Sequence, residues 1–166
     1  MFVPQTVYQP HTRIDRERYT NRASLSPPII FFAEDPYEWG VPLEDALRGH
    51  LKRVIGREEP MFEDCGPSVS IRMQWPGYDA WTRQIPTKDF RVPKGPITKA
   101  KLAKDIAGCV RRFIDQMAGE PIHEGADKRW RVGPRYIRVE DLILVSLHHI
   151  SSGSWQPQLR LRRQIL

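Results

Sequence analysis

The order of elements in this chain predicts an α+β fold: an antiparallel sheet with two helices on one face. Three patterns predict it. Residues 97–118 put Leu102, Ile106, Cys109, Val110, Phe113, Ile114 and Met117 on one stripe at helical spacing. Residues 68–75 alternate Val69, Ile71, Met73 and Trp75 with polar neighbours, the period of a strand buried on one face. Residues 142–147 form an apolar run, read as a strand buried on both faces with a helix as the competing reading, and it leads through Ser151-Ser152-Gly153-Ser154 into an alternating partner segment, the pattern of a hairpin. The full order is β-α-β-β-α-β-β, ferredoxin-like with an extra C-terminal strand. If the first strand does not form, a grasp-like ββαββ core of hairpin, helix and hairpin is the alternative.

Taken in order, residues 1–26 are polar, interrupted by Pro4 and Pro10 and charged from Arg13 to Arg18. A flexible tail is expected there, ahead of a single α+β domain at residues 27–166. Ile29 to Ala33 is a short apolar run stopped by Glu34-Asp35-Pro36 and reads as a candidate buried strand, with a packed loop as the alternative. Pro42 opens a helix with Glu44 and Asp45 in its first turn, Lys52 and Arg53 in its last, and Gly56 beyond. Carboxylates suit the free amides at a helix start and cations suit the free carbonyls at its end. After a charged connector, the strand at 68–75 turns at Pro76-Gly77-Tyr78-Asp79 into a returning strand from Trp81 to Ile85. Thr98 is the expected N-cap of the long helix, which Gly119 and Pro121 stop. In the last strand Pro157 implies a sheet edge, because proline cannot donate to a ladder.

The chain has 166 residues, enough for one sizeable core, and a formal charge of +6. Residues 1–60 hold 8 Lys/Arg against 9 Asp/Glu, and residues 61–166 hold 18 against 11, so the basic character belongs to the C-terminal part. Such a surplus suits nucleic acid, anionic lipid or an acidic protein surface, and equally plain solubility. Cys65 and Cys109 are too few for a disulfide framework and read as reduced packing residues of an intracellular protein, cytoplasmic or nuclear. No stretch resembles a signal-peptide core or approaches the ~18 apolar residues of a membrane span, so no membrane partner is expected.

Basic residues gather in two places. Lys94, Lys99 and Lys101 surround the start of the long helix, where free amides favour negative charge, and make a candidate anion site. No glycine-rich GxxxxGK motif accompanies them. Lys101 with Asp105, and Arg111 with Asp115, stand four residues apart and are expected to pair. The second cluster is Lys128, Arg129, Arg131, Arg135 and Arg138, with Trp130 and Tyr136 among them, joined by Arg160, Arg162 and Arg163. Arginine mixed with aromatic rings suits phosphate contact with base stacking, an acidic protein surface, or Arg stems lying over rings.

Other chemistry is thinner. His148 and His149 are adjacent, so on a strand they point to opposite faces, and His123 with Glu124 and Asp127 lies in a loop. These do not make the three- or four-ligand spacing of known metal sites. Cys65 sits beside Asp64, which raises a thiol's pKa and does not activate it. No catalytic residue and no cofactor is assigned on this basis. Trp39, Trp75 and Trp155 lie beside turns, where large rings pin the ends of elements, and any exposed subset of the tryptophans marks a partner surface.

The stretches SVSIRMQWPGY, IPTKDF, GPITKAKLAKDIAGCVRRFID, RWRVG, IRVEDLILVSLHHIS and GSWQPQLRL cover most of residues 67–161 in that order. Together they resemble an uncharacterised protein family of mushroom-forming (basidiomycete) fungi. The resemblance implies a lineage and carries no activity, cofactor or site residue. The residues themselves point to a non-enzymatic intracellular protein-interaction module whose partner is another protein or the same chain. The alternatives are a nucleic-acid-binding protein using the Arg/aromatic C-terminal surface, and an enzyme with an unrecognised His/carboxylate pocket.

Overall fold

The computed structural model describes residues 1–9, 25–90 and 93–163. Four two-residue strands come first: β1 (Ile29–Ile30), β2 (Phe32–Ala33), β3 (Glu38–Trp39) and β4 (Val41–Pro42). A short helix, α1 (Leu43–Leu47), follows, then the hairpin of β5 (Ser68–Met73) and β6 (Trp81–Pro86). The small pair β7 (Lys88–Asp89) and β8 (Gly95–Pro96) leads to the long helix α2 (Lys99–Met117). The chain ends in the hairpin of β9 (Leu142–Ser151) and β10 (Ser154–Leu161).

The long strands lie in the order β9-β10-β5-β6. Both hairpins are antiparallel, and they meet through a parallel pair, Ser154 beside Ser70 and Trp155 beside Ile71. The sheet is thus mixed but mostly antiparallel, as an α+β fold requires. The ferredoxin-like order is not the one formed. The first strand lies at the outer side of β9, and the long strands come from the hairpin-helix-hairpin core of the alternative. The cause is a break at Phe31, whose N–H donates to Val145 O at 3.0 Å while its carbonyl accepts from the Gly40 N–H at 2.8 Å. This divides the apolar run between two sheets: β1 pairs with β9, and β2 pairs with β3.

The helix α2 forms as its periodicity demands. Thr98 Oγ1 accepts the Lys101 N–H at 3.1 Å, satisfying one of the amides left free in the first turn. The expected stripe is buried together with Ala103 and Ala107, and it packs with Val69, Ile71 and Met73 of β5 into one core. Phe113 is the hub of an aromatic cluster. Its ring lies 5.7 Å from Trp75, 6.0 Å from Trp81 and 6.2 Å from Tyr78, the last two edge-on. Trp75 Nε1 donates to Trp130 O at 2.8 Å, and the Tyr78 hydroxyl accepts the Val132 N–H at 3.1 Å. Two buried hydrogen bonds therefore tie the β5–β6 turn to the basic segment that follows α2.

Three local expectations are corrected. The first helix spans only Leu43–Leu47 and does not continue to residue 53. Gly49 takes φ 74°, and the backbone beyond it is engaged by β2: Glu34 N–H donates to Arg53 O, and Ile55 N–H to Phe32 O. Pro157 lies on an inner strand, not an edge. The β5 pairing stops at Trp155, so proline removes no ladder bond on that side. Residues 1–9, expected in the flexible tail, dock along the far half of β10: Val3 N–H donates to Leu159 O, Leu161 N–H to Met1 O, and Val3 is buried. The rest of that tail as far as residue 24 lies outside the described residues.

Replacing the aromatic hub tests this packing. Phe113→Ala is expected to lower unfolding free energy by about 3–5 kcal/mol, the usual cost of a phenylalanine-sized cavity, as measured by urea denaturation.

Candidate functional site

The tryptophans divide sharply by burial. Trp75, Trp130 and Trp155 are buried, and Trp81 is half-buried with its Nε1 bonded to Gln116 Oε1 at 3.0 Å. Trp39 is 50% exposed. It stands in β3 opposite Phe32 of β2, the two rings 6.4 Å apart and within 21° of parallel. Phe2 approaches the same indole edge-on at 6.2 Å. Phe2 and Phe32 are themselves 40% and 44% exposed. Ile30 and Ile55 extend the apolar surface: Ile30 precedes Phe32 by one strand period, and the Ile55 N–H donates to Phe32 O at 2.9 Å. The Arg160 guanidinium donates to Trp39 O at 3.0 Å and borders the patch.

The local cause is alternation within the first apolar run. Phe31 and Ala33 are buried while Ile30 and Phe32 face water. Read as a sequence, five apolar residues hide this alternation, because no polar residue reports which side faces out.

The arginine-rich segment is organised differently from its sequence appearance. Trp130 is 4% exposed, so it offers no stacking face. Asp127 holds the Arg129 guanidinium at 2.7 and 3.0 Å, a contact that pulls the Asp127 carboxyl below its ordinary pKa range. Arg138 lies 3.8 Å from Glu140 and 3.7 Å from Asp141, and Arg162 lies 3.4 Å from Glu44. Arg131 covers the Tyr136 ring at 5.4 Å. Lys128, Arg129, Arg135, Tyr136 and Arg163 do converge, lining a hollow of about 410 Å³ that Asp141 also borders.

The three lysines at the start of α2 are each engaged by a near neighbour. Lys101 Nζ is 2.6 Å from Asp105, Lys99 Nζ is 5.7 Å from the Phe31 ring centre, and Lys94 Nζ is 5.3 Å from that of Phe90. Of the two expected helical ion pairs, Lys101–Asp105 forms, whereas Arg111 and Asp115 make no ion pair with each other.

The histidines are separately held. His148 Nε2 lies 2.8 Å from Ser146 Oγ, and His123 Nε2 lies 3.0 Å from Asp79 Oδ1 on an exposed loop. His149 stacks on Trp155 at 4.5 Å and 11°, its Nδ1 accepting the Ser26 N–H at 2.9 Å. The hollow of about 340 Å³ beside His148 and His149 is lined by Gln5, Gln156 and Gln158 and, among the described residues, by no carboxylate. Among the described residues no three His, Cys, Asp or Glu side chains converge as ligands for a metal. Burial pushes the Cys109 thiol up to about 11, and burial with the nearby Asp64 charge raises Cys65. Both thiols are therefore protonated near neutrality and weak nucleophiles. No helix among the described residues is long and apolar enough to cross a membrane.

Burial lowers the His149 pKa, against a smaller raising contribution from the Ser151 backbone. Because the unfolded chain binds this proton more readily, the stability it contributes is complete above about pH 6.5 and is lost as pH falls through the folded value. His149→Phe keeps a ring on Trp155 and removes the titration. Between about pH 7.5 and about pH 5 its Tm is expected to fall by less than the parent's, read by thermal melts.

Comparison with known protein families, curated proteins and solved structures finds no significant match to this chain.

Proposed function

We propose that this chain is a non-enzymatic protein-interaction module whose docking surface is the patch centred on Trp39. The observation that carries the reading is a set of three large aromatic rings, Phe2 and Phe32 each against Trp39, all at least 40% exposed. Apolar surface of this kind is buried by a partner because water solvates it poorly. Aromatic residues at the centre with an arginine at the rim, here Arg160, are the residue types that carry most binding energy at protein interfaces. The grasp-like core supports the patch on short strands anchored to β9. The partner is a protein surface, a second copy of this chain included. Two unpaired cysteines suit a reducing, intracellular setting.

The reading is tested with the Phe32→Ser/Trp39→Ser double variant. Both side chains are exposed, so the variant is expected to keep its melting temperature. It is expected to lose association by tenfold or more, the usual weight of central aromatic residues, in sedimentation velocity of the protein alone and in binding to captured partners. Unchanged association would overturn the proposal.

The hollow of Lys128, Arg135 and Arg163 supports a second reading, nucleic-acid contact. None of these cations has an ion-pair partner among the described residues, and Tyr136 beside them is half exposed. On this reading a short single strand binds with an affinity that falls steeply with salt and drops on Lys128→Ala/Arg135→Ala, because phosphate neutralisation releases counterions. Salt-independent binding, or none, excludes it.

A further inference from the structure

The other side of the sheet presents a second feature that the Trp39 patch does not use. β6 is the last strand: it pairs with β5 on one side and with nothing among the described residues on the other. Thr82, Arg83 and Gln84 are exposed in succession along it. A groove of about 570 Å³ runs between this strand and the outer surface of α2. Ile85, Gly108 and Cys109 contribute small or apolar surface to it, and Arg83, Lys104, Arg111 and Arg112 contribute charge. None of these four cations has an ion-pair partner among the described residues. Of the two carboxylates that line the groove among the described residues, Asp105 is already held by Lys101, and Asp115 makes no ion pair with a described residue.

Gly108 is the second observation. Glycine within a helix costs stability relative to alanine, and a close backbone approach is the usual reason to keep it. Here nothing lies within 4 Å of where a Cβ would stand. What the missing side chain does leave is open groove.

We propose that this groove binds an extended acidic segment of another protein, which adds to the sheet as a strand beside β6. Its carboxylates lie against Arg83, Lys104, Arg111 and Arg112. The dimensions agree: six residues of strand and the eleven-residue rise from Lys104 to Asp115 each span about 16–17 Å. The open edge of β6 supplies main-chain donors and acceptors for a ladder, and the cations select the charge of the incoming strand. A second copy of this chain is disfavoured as occupant, since it brings Arg83 and the same basic groove against themselves. Nucleic acid lacks the amides a ladder needs, and Trp81, the aromatic residue at this edge, is half-buried and bonded to Gln116.

The probe is a fluorescent octapeptide alternating valine with glutamate, compared with its lysine-for-glutamate counterpart and with a single-stranded oligonucleotide of equal charge. Anisotropy is expected to show binding of the acidic peptide alone, and hydrogen exchange to show new protection of amides in Trp81–Pro86. Gly108→Leu improves helix propensity and fills the groove, so it should fold at least as stably as the parent while weakening the peptide about tenfold or more. Arg83→Glu/Arg112→Glu should weaken it by at least as much. The Phe32→Ser/Trp39→Ser variant should bind the peptide as the parent does, which separates this site from the Trp39 patch. No binding by the acidic peptide, equal binding of the oligonucleotide, unprotected β6 amides, or a Gly108→Leu protein with parental affinity would each overturn the proposal.

Discussion

The apolar stripe of α2 is the contact on which the rest of this structure depends. The two long hairpins share a parallel register of only two residue pairs, Ser70 with Ser154 and Ile71 with Trp155. A ladder that short cannot hold two hairpins in one sheet, because each ordered residue costs about 1–2 kcal/mol of backbone entropy and a hydrogen bond returns about 1. The helix supplies what the ladder lacks. Leu102, Ile106, Val110 and Phe113 are fully buried in one cluster with Ile71 and Met73 of the first hairpin and Leu144, Leu147 and Leu159 of the second. Burial of side chains of this size contributes about 1.5–3 kcal/mol each, so the helix joins what the ladder only aligns.

From that arrangement the placement of both candidate surfaces follows. With the second hairpin joined to β5, β6 has no further neighbour among the described residues and stands as an edge, and the polar face of α2 rises beside it to form the groove. At the other side, β9 accepts the short strands β1 and β4, and these carry the β2–β3 pair that displays Phe32 and Trp39. The N-terminal residues complete that side by docking on β10, which brings Phe2 to Trp39. Gln5 and Tyr8 also settle on the sheet, Tyr8 under the Arg72 guanidinium at 3.8 Å.

Charge follows a similar logic of neighbours. The C-terminal arginines look like one cationic surface when read along the chain, but Asp127, Glu44, Glu140 and Asp141 stand close enough to neutralise several of them. The cations without an ion pair among the described residues are partly elsewhere, at Arg83 on β6 and at Lys104, Arg111 and Arg112 on α2. An exposed ion pair contributes at most about 1 kcal/mol to stability, yet it removes a charge from the field a partner meets. Counting basic residues along the chain therefore overstates one surface and misses the other.

What the sequence determined by itself were the features set by local periodicity and capping. The α2 stripe, its Thr98 cap, the alternating β5 and the Ser151–Ser154 hairpin turn all lie where their patterns put them. Each depends on neighbours within a few residues, which the sequence states directly. Relations between distant segments were set by packing in three dimensions. These include the parallel join of β5 to β10, the division of the first apolar run at Phe31, and the burial of Trp130 in place of its exposure among arginines. They also include the exposure of Trp39, because a ring's burial depends on what packs over it from elsewhere in the chain. A one-dimensional pattern records which side of an element is apolar, but not which neighbour covers it, and that difference separates core from docking surface here.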